Sequence, residues 1–310
     1  MMKKFNDIFN IWKKEKMDFV KPSSFATYVI LAEKHIVPAF GEKYEVEGEM
    51  QQFVLDKLSE GLSLQTVKEV VMVVRMIVRF GEEHGMCRRQ NLEVKYPRAS
   101  AEKKKPCVMT RADQQRLMNH LSHHLSLQNL GIYLCLSTGL RIGEVCALQW
   151  NDINTDAGLI SVNKTIERIY DVKDAELTST KLTVGKPKTA SSMREIPIDK
   201  SLTELVATLK RYSNGDNYVL TNNSHPMEPR TYRCYFYNLL KSLGIGRIKF
   251  HGLRHTFATR CIESQCDYKT VSAILGHSNI STTLNLYVHP DMEQKRQCIK
   301  KMLSHLDVGI

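Results

Sequence analysis

The 310-residue chain contains no apolar run approaching the ~18 residues that a membrane-spanning helix requires. Charged residues interrupt Phe5, Ile8, Phe9 and Trp12 at its start, so the apolar core of a secretory signal is missing as well. A soluble cytoplasmic protein is the expectation. No C-x-x-C pair occurs among the eight cysteines, and several lie in apolar segments, such as Cys135 in IYLCLSTGL. They read as buried reduced thiols rather than zinc ligands or disulfides. His120, His123 and His124 share one helical face, but no cysteine or carboxylate at suitable spacing completes a metal site. His251 and His255 are spaced like a zincin pair, yet Gly252 stands where the glutamate is needed. Gly185-Lys186 runs into Pro187, and position 180 is Thr180, so no P-loop is present. Internal repeats and low-complexity tracts are also missing. Neither a metal nor a cofactor is expected.

What is present is the composition of a folded protein, 42% hydrophobic and 25% charged, at a length that suits about two domains. The net charge of +11 is unevenly placed. Residues 1–100 hold 16 Lys+Arg against 14 Asp+Glu and residues 101–310 hold 28 against 19, so the second part carries +9 of the excess. Such an excess fits a polyanionic partner, because neutralising phosphates releases their counterions.

Val67, Val70, Val71, Val74, Ile77 and Val78 recur at helical spacing within residues 63–84, with Ser63 as N-cap. Two further helices are expected before it, near 4–16 and 23–38, the second opened by Pro22-Ser23-Ser24 and closed by Pro38 with Gly41 beyond. Residues 1–96 thus read as a helical domain. The proline-flanked segment PRASAEKKKP at 97–106 reads as a linker, and its Lys103, Lys104 and Lys105 suit either phosphate contact or a solvated tether. Residues 107–310 form the second domain. Helical spacing covers 111–121 and 129–150, and LISVNKTIERIY at 159–170 with SMREIPI at 192–198 predicts a small antiparallel sheet. Helices return at 202–209 and at 232–243, capped by Gly244, and run from 251 to the end.

Three stretches carry the chemistry: TGLRIGEVCALQWNDI at 138–153, HGLRHTFAT at 251–259 and LGHSNISTTLNLY at 275–287, with GKPKTASSMREIPI at 185–198 on the presumed hairpin. Their order and spacing resemble the phage-integrase, or tyrosine-recombinase, family over roughly residues 107–290. The resemblance implies a mainly α, two-domain fold: a helical SAM-like core-binding domain, then a catalytic DNA breaking-rejoining domain with a small sheet. It places two phosphate-binding arginines at Arg141 and Arg254, a hairpin lysine at Lys188, two histidines at His251 and His277, and the nucleophile at Tyr287. Taken singly, each residue has a plainer reading. Arg141, for example, would pair with Glu144 three residues along a helix.

The chemistry is coherent on its own terms. Charge builds on the non-bridging oxygens when a phosphodiester is attacked, and guanidinium groups suit bidentate contact with them. A phenol of pKa ~10 needs nearby cations to ionise, and a lysine lowered by like charges can protonate the departing 5′ oxygen. Lys188 fits that role by its place in P-K-T-x-x-S-x-R-x-I-P, with Lys181 and Lys186 as alternatives. A phosphotyrosyl ester conserves the energy of the bond it replaces, so neither ATP nor a divalent metal is needed.

The resemblance further implies duplex DNA with inverted-repeat core sites as partner, a homotetramer on DNA, room for accessory DNA-bending proteins, and a prokaryotic, nucleoid-associated location. About 95 residues before the linker leave little space for an arm-site domain. Ile299, Met302, Leu303 and Leu306 make one apolar stripe on an expected helix 291–306, which suits docking into a neighbouring protomer. Two rival functions are a type IB topoisomerase, which would act as a monomer, and a DNA-binding regulator that does not cleave.

Overall fold

The computed structural model describes residues 2–97, 107–187, 189–287 and 292–304, the side chains at 190, 286, 287, 293, 294, 298 and 301 aside. Lys103, Lys104, Lys105 and Lys188 lie outside the described residues. The chain divides into two compact units, Met1–Lys104 with Arg168–Leu182, and Lys105–Glu167 with Thr183–Ile310.

The first unit begins with α1 (Phe5–Phe19) and α2 (Pro22–Leu31), which continues through a π turn (Ala32–Ile36) into α3 (Val37–Phe40). Pro38 therefore does not close the helix as its sequence suggests. The π turn resets the hydrogen-bond ladder just ahead of it, so the proline falls in the first turn of α3, where its missing N–H is not needed. α4 (Met50–Ser59) escapes a periodicity reading because only Met50, Phe53 and Val54 of it are buried. α5 (Leu64–Glu83) starts where Ser63 accepts a bond from Thr66 N, and its valine face lies in the core with Phe9, Trp12, Phe25 and Phe40.

The second unit opens with α6 (Arg111–His123), α7 (Leu127–Thr138) and α8 (Ile142–Cys146). The single helix expected at 129–150 is thus broken, because Gly139 adopts φ 69° and turns the chain. Five strands follow: β1 (Ile153–Asn154), β2 (Leu159–Val162), β3 (Thr165–Lys173), β4 (Glu176–Gly185) and β5 (Arg194–Pro197). They form two sheets rather than one, an antiparallel β1-β2-β5 sheet with Val162 opposite Arg194, and a separate β3-β4 pair. Helices α9 (Lys200–Lys210), α10 (Pro229–Ser242), α11 (His251–Glu263), α12 (Tyr268–Leu275), α13 (Ile280–Tyr287) and α14 (Met292–Ser304) complete it.

The outer part of the β3-β4 pair belongs to the first unit. Its two-residue turn puts Asp174 and Ala175 at φ 50° and 63°, the left-handed conformation that a tight hairpin of this hand demands. Ala175 is buried in the core of that unit, and Glu176 pairs with the buried ammonium of Lys13. The seven described cysteines are free thiols, but only Cys87, Cys135 and Cys146 are buried. Cys107, Cys234 and Cys266 are exposed, contrary to the reading of the cysteines as buried thiols.

Candidate active site

The corner between α7 and α8 sets the first arginine. A Cβ on Gly139 would sit 2.7 Å from Leu275 and 2.8 Å from Phe257, so a glycine is required both for its positive φ and for space. The turn leaves Arg141 as the N-cap of α8. Its backbone N–H donates to Glu144 Oε2 at 2.9 Å, its Nη1 to Glu144 Oε1 at 2.7 Å, and its Nη2 to Gly276 O at 3.3 Å. The plain ion pair with Glu144 thus exists, yet the Arg141 side chain remains one-third exposed and lines a cleft of about 400 Å³ together with Thr165, Pro187, Gly276 and His277.

α11 packs on α7, and α12 and α13 pack on α11. Arg254, buried on α11, donates to Gly139 O at 2.9 Å and to Leu275 O at 2.6 Å. At the end of α12, Gly276 takes φ 65°, where a Cβ would press on Ser191 O and on Arg194. The next residue, His277, is fixed by a 2.8 Å hydrogen bond between Nδ1 and Thr283 Oγ1, so Nε2 is the nitrogen left to meet a ligand. His251 starts α11 and packs edge-on against His255, with ring centroids 4.7 Å apart.

Both histidines are held in the neutral form near pH 7. His277 is lowered to about 4 by partial desolvation and by the charges of Arg254, Arg141 and Arg194. His251, although exposed at its edge, is lowered to about 4 by desolvation, His255, Arg254 and Arg141. Burial works to raise the Glu144 carboxyl, but Arg194 and then Arg141 outweigh it and hold the group below its ordinary value. The result is a cleft wall that offers the Arg141 guanidinium and the neutral imidazole of His277 near pH 7, suited to an anion with partial negative charge on several oxygens.

Arg141 and Arg254 therefore converge on the end of α12 beside His277, and His251 starts the helix that carries Arg254. Tyr287 ends α13, and its side chain lies outside what the structure describes, as does Lys188. Of the other candidate lysines, Lys181 lies on β4 and is paired with Asp171 at 2.6 Å, whereas Lys186 follows β4 beside Pro187 of the cleft. The roles of two participants escape sequence reasoning. Thr283 shows no motif of its own, and Arg194 is a letter of P-K-T-x-x-S-x-R-x-I-P to which the sequence assigns no partner.

The chain belongs to the phage integrase family, whose profile matches residues 108–294, and the profile of the N-terminal SAM-like domain of phage integrases matches residues 4–44. It is 26% identical to the XerC-like tyrosine recombinase of Caldanaerobacter subterraneus subsp. tengcongensis, across 96% of this chain and 82% of that protein. Its fold is similar to that of the Tn1549 transposon integrase in complex with a circular intermediate DNA, at TM-score 0.77 and 20% identity over 96% of this chain and 99% of that one. It is also similar to the lambda integrase tetramer bound to a Holliday junction, at TM-score 0.68 and 16% identity over 94% and 80% of the two chains.

The low histidine values predict an acid-labile fold. Each group sits at about 4 when folded against its ordinary value of 6.5, so acidification through that window protonates the unfolded chain first. Their contribution is complete above pH 6.5 and is lost as pH falls toward 4. Thermal melting should show a larger loss for the wild type than for a His251→Asn/His277→Asn variant between about pH 7 and about pH 5. Equal losses would refute the assignment.

Proposed function

We propose that this chain is a site-specific DNA recombinase that cuts and rejoins strands through a covalent 3′-phosphotyrosine at Tyr287. The observation that carries the reading is the convergence of Arg141 and Arg254 beside His277, with Arg141 open to the cleft and α13, which ends in Tyr287, packed on α11 and α12. The scissile phosphate occupies the cleft against Arg141, and the buried charge of Arg254 strengthens the field behind it. The neutral imidazoles of His251 and His277 are in the form that accepts a proton from the tyrosine hydroxyl. Tyr287 Oη then bonds to phosphorus as the bond to the 5′ oxygen breaks, and Lys188 protonates that leaving oxygen. Rejoining is the same step run from the 5′-hydroxyl of a partner strand.

The protein acts as a tetramer on duplex DNA with inverted-repeat core sites, with Lys103, Lys104 and Lys105 contacting phosphate, in the cytoplasm of a prokaryote. Assembly is supported by α14, on which Ile299, Met302 and Leu303 are 58%, 53% and 40% exposed. Three neighbouring apolar side chains in water on one helix suit docking on another copy. A topoisomerase that works alone has no use for such a stripe, which is why recombination is preferred to relaxation.

Sheared genomic DNA captured covalently by the wild type and sequenced defines the site, and a nicked duplex of that site serves as suicide substrate. Tyr287→Phe should bind this duplex as the wild type does and form no covalent complex on a denaturing gel. Arg141→Ala should slow complex formation by about 100-fold or more while weakening binding far less, because its contact strengthens as charge develops. A covalent band in Tyr287→Phe would remove that residue from the role.

Removing α14 by truncation after Pro290 should leave single-site binding intact and abolish cooperative assembly of two sites, read by gel shift and strand exchange. Synaptic complexes formed by the truncated chain would contradict exchange of this helix.

A further inference from the structure

We infer that Arg194, outside the residues assigned to the reaction above, is a positioning residue that holds Arg141 and His277 in their working geometry by taking a share of the Glu144 charge. The inference rests on the recombinase reading. Arg194 opens β5, in the same sequence motif as Lys188, and its side chain is only 6% exposed. It is therefore not placed to touch DNA itself. Its contacts point inward to three parts of the site.

The first is Glu144, itself 3% exposed. Arg194 Nη1 donates to Oε1 at 3.1 Å and Nη2 to Oε2 at 3.0 Å, a two-pronged grip on the carboxylate. Arg141 uses the same two oxygens, through Nη1 and its backbone N–H. One buried carboxylate thus serves two guanidinium groups, and the trio keeps one net positive charge. Without Arg194 the carboxylate would face Arg141 alone. The pair would be neutral, and a buried carboxylate short of donors would draw Arg141 away from the cleft.

The second contact is the end of α12, where Arg194 Nε donates to Ile274 O at 2.5 Å. This is the carbonyl just before the ones that accept from Arg254 (Leu275) and Arg141 (Gly276). The third is Ser192 O, at 3.0 Å from Nη1, in the turn that follows Lys188. One side chain therefore ties the Ser192 turn, the base of Arg141 and the backbone that precedes His277. A lysine at 194 would keep the charge, but it could not span both carboxylate oxygens and the Ile274 carbonyl from one planar group.

The test uses the full chain and the nicked duplex of the captured site, with covalent complex formation and duplex Kd measured separately. Arg194→Gln should slow complex formation by about 100-fold with Kd changed less than about threefold. Adding Glu144→Gln to that variant should recover about tenfold of the rate, because the unshared charge on the carboxylate is removed along with its partner. A purely structural residue would show no such recovery, since the double variant loses more contacts than the single. The inference is overturned by a wild-type rate in Arg194→Gln, or by a folded double variant no faster than the single. Should Arg194→Gln fail to fold, Arg194→Lys decides: slowing of about tenfold supports the inference and a wild-type rate overturns it. Absence of a covalent complex from the wild type itself would instead bring down the recombinase reading and the inference together.

Discussion

Three guanidinium groups grip three successive carbonyls at the end of one short helix and its cap, and the rest of the site depends on that grip. Arg194 holds Ile274 O, Arg254 holds Leu275 O and Arg141 holds Gly276 O, although the three come from β5, α11 and the cap of α8. Like charges brought this close repel one another. The negative end of the α12 dipole and the ionised Glu144 offset the repulsion without neutralising it, which leaves an excess of positive charge facing the cleft. Burial lowers His251 and His277 most, and the charges of Arg254 and Arg141 lower them further.

The same grip explains two glycines that look unremarkable in a string of letters. Gly139 and Gly276 both take positive φ, and each presents a carbonyl to an arginine, Gly139 to Arg254 and Gly276 to Arg141. A side chain at either place would strike neighbours within about 3 Å, on Leu275 and Phe257 for one and on Ser191 and Arg194 for the other. The turns that aim the arginines and the packing of α7 on α11 are therefore one constraint, met at the T-G-L-R and L-G-H segments.

Those segments are legible because short motifs encode local backbone. Both can be read as motifs, and the valine face of α5 as a buried helix, but the helical spacing across 129–150 hides the turn at Gly139. What cannot be read depends on contacts distant in sequence. Arg194 meets Glu144 across 50 positions and Ile274 across 80, and nothing in SMREIPI announces either partner. The pairing of β4 with β3 rather than β5 is hidden for the same reason: alternation marks strands but does not say which strand lies next door. Ala175 in the core of the first unit is another case, since neither its type nor its neighbours distinguish it from a solvent-facing turn residue. α4 is hidden because its apolar contrast is weak, and Pro38 misleads because its usual effect is absorbed by the π turn before it.

The arginine cluster makes an anion site whose field reaches His277. The most direct measurement is the titration of the His277 imidazole by NMR, first in the free protein and then with a short DNA duplex of the captured site bound to the Tyr287→Phe protein. The expected pKa is about 4 in the free protein, rising when a phosphate in the cleft offsets the positive field. An ordinary histidine value in the free protein, unchanged by the duplex, would contradict it.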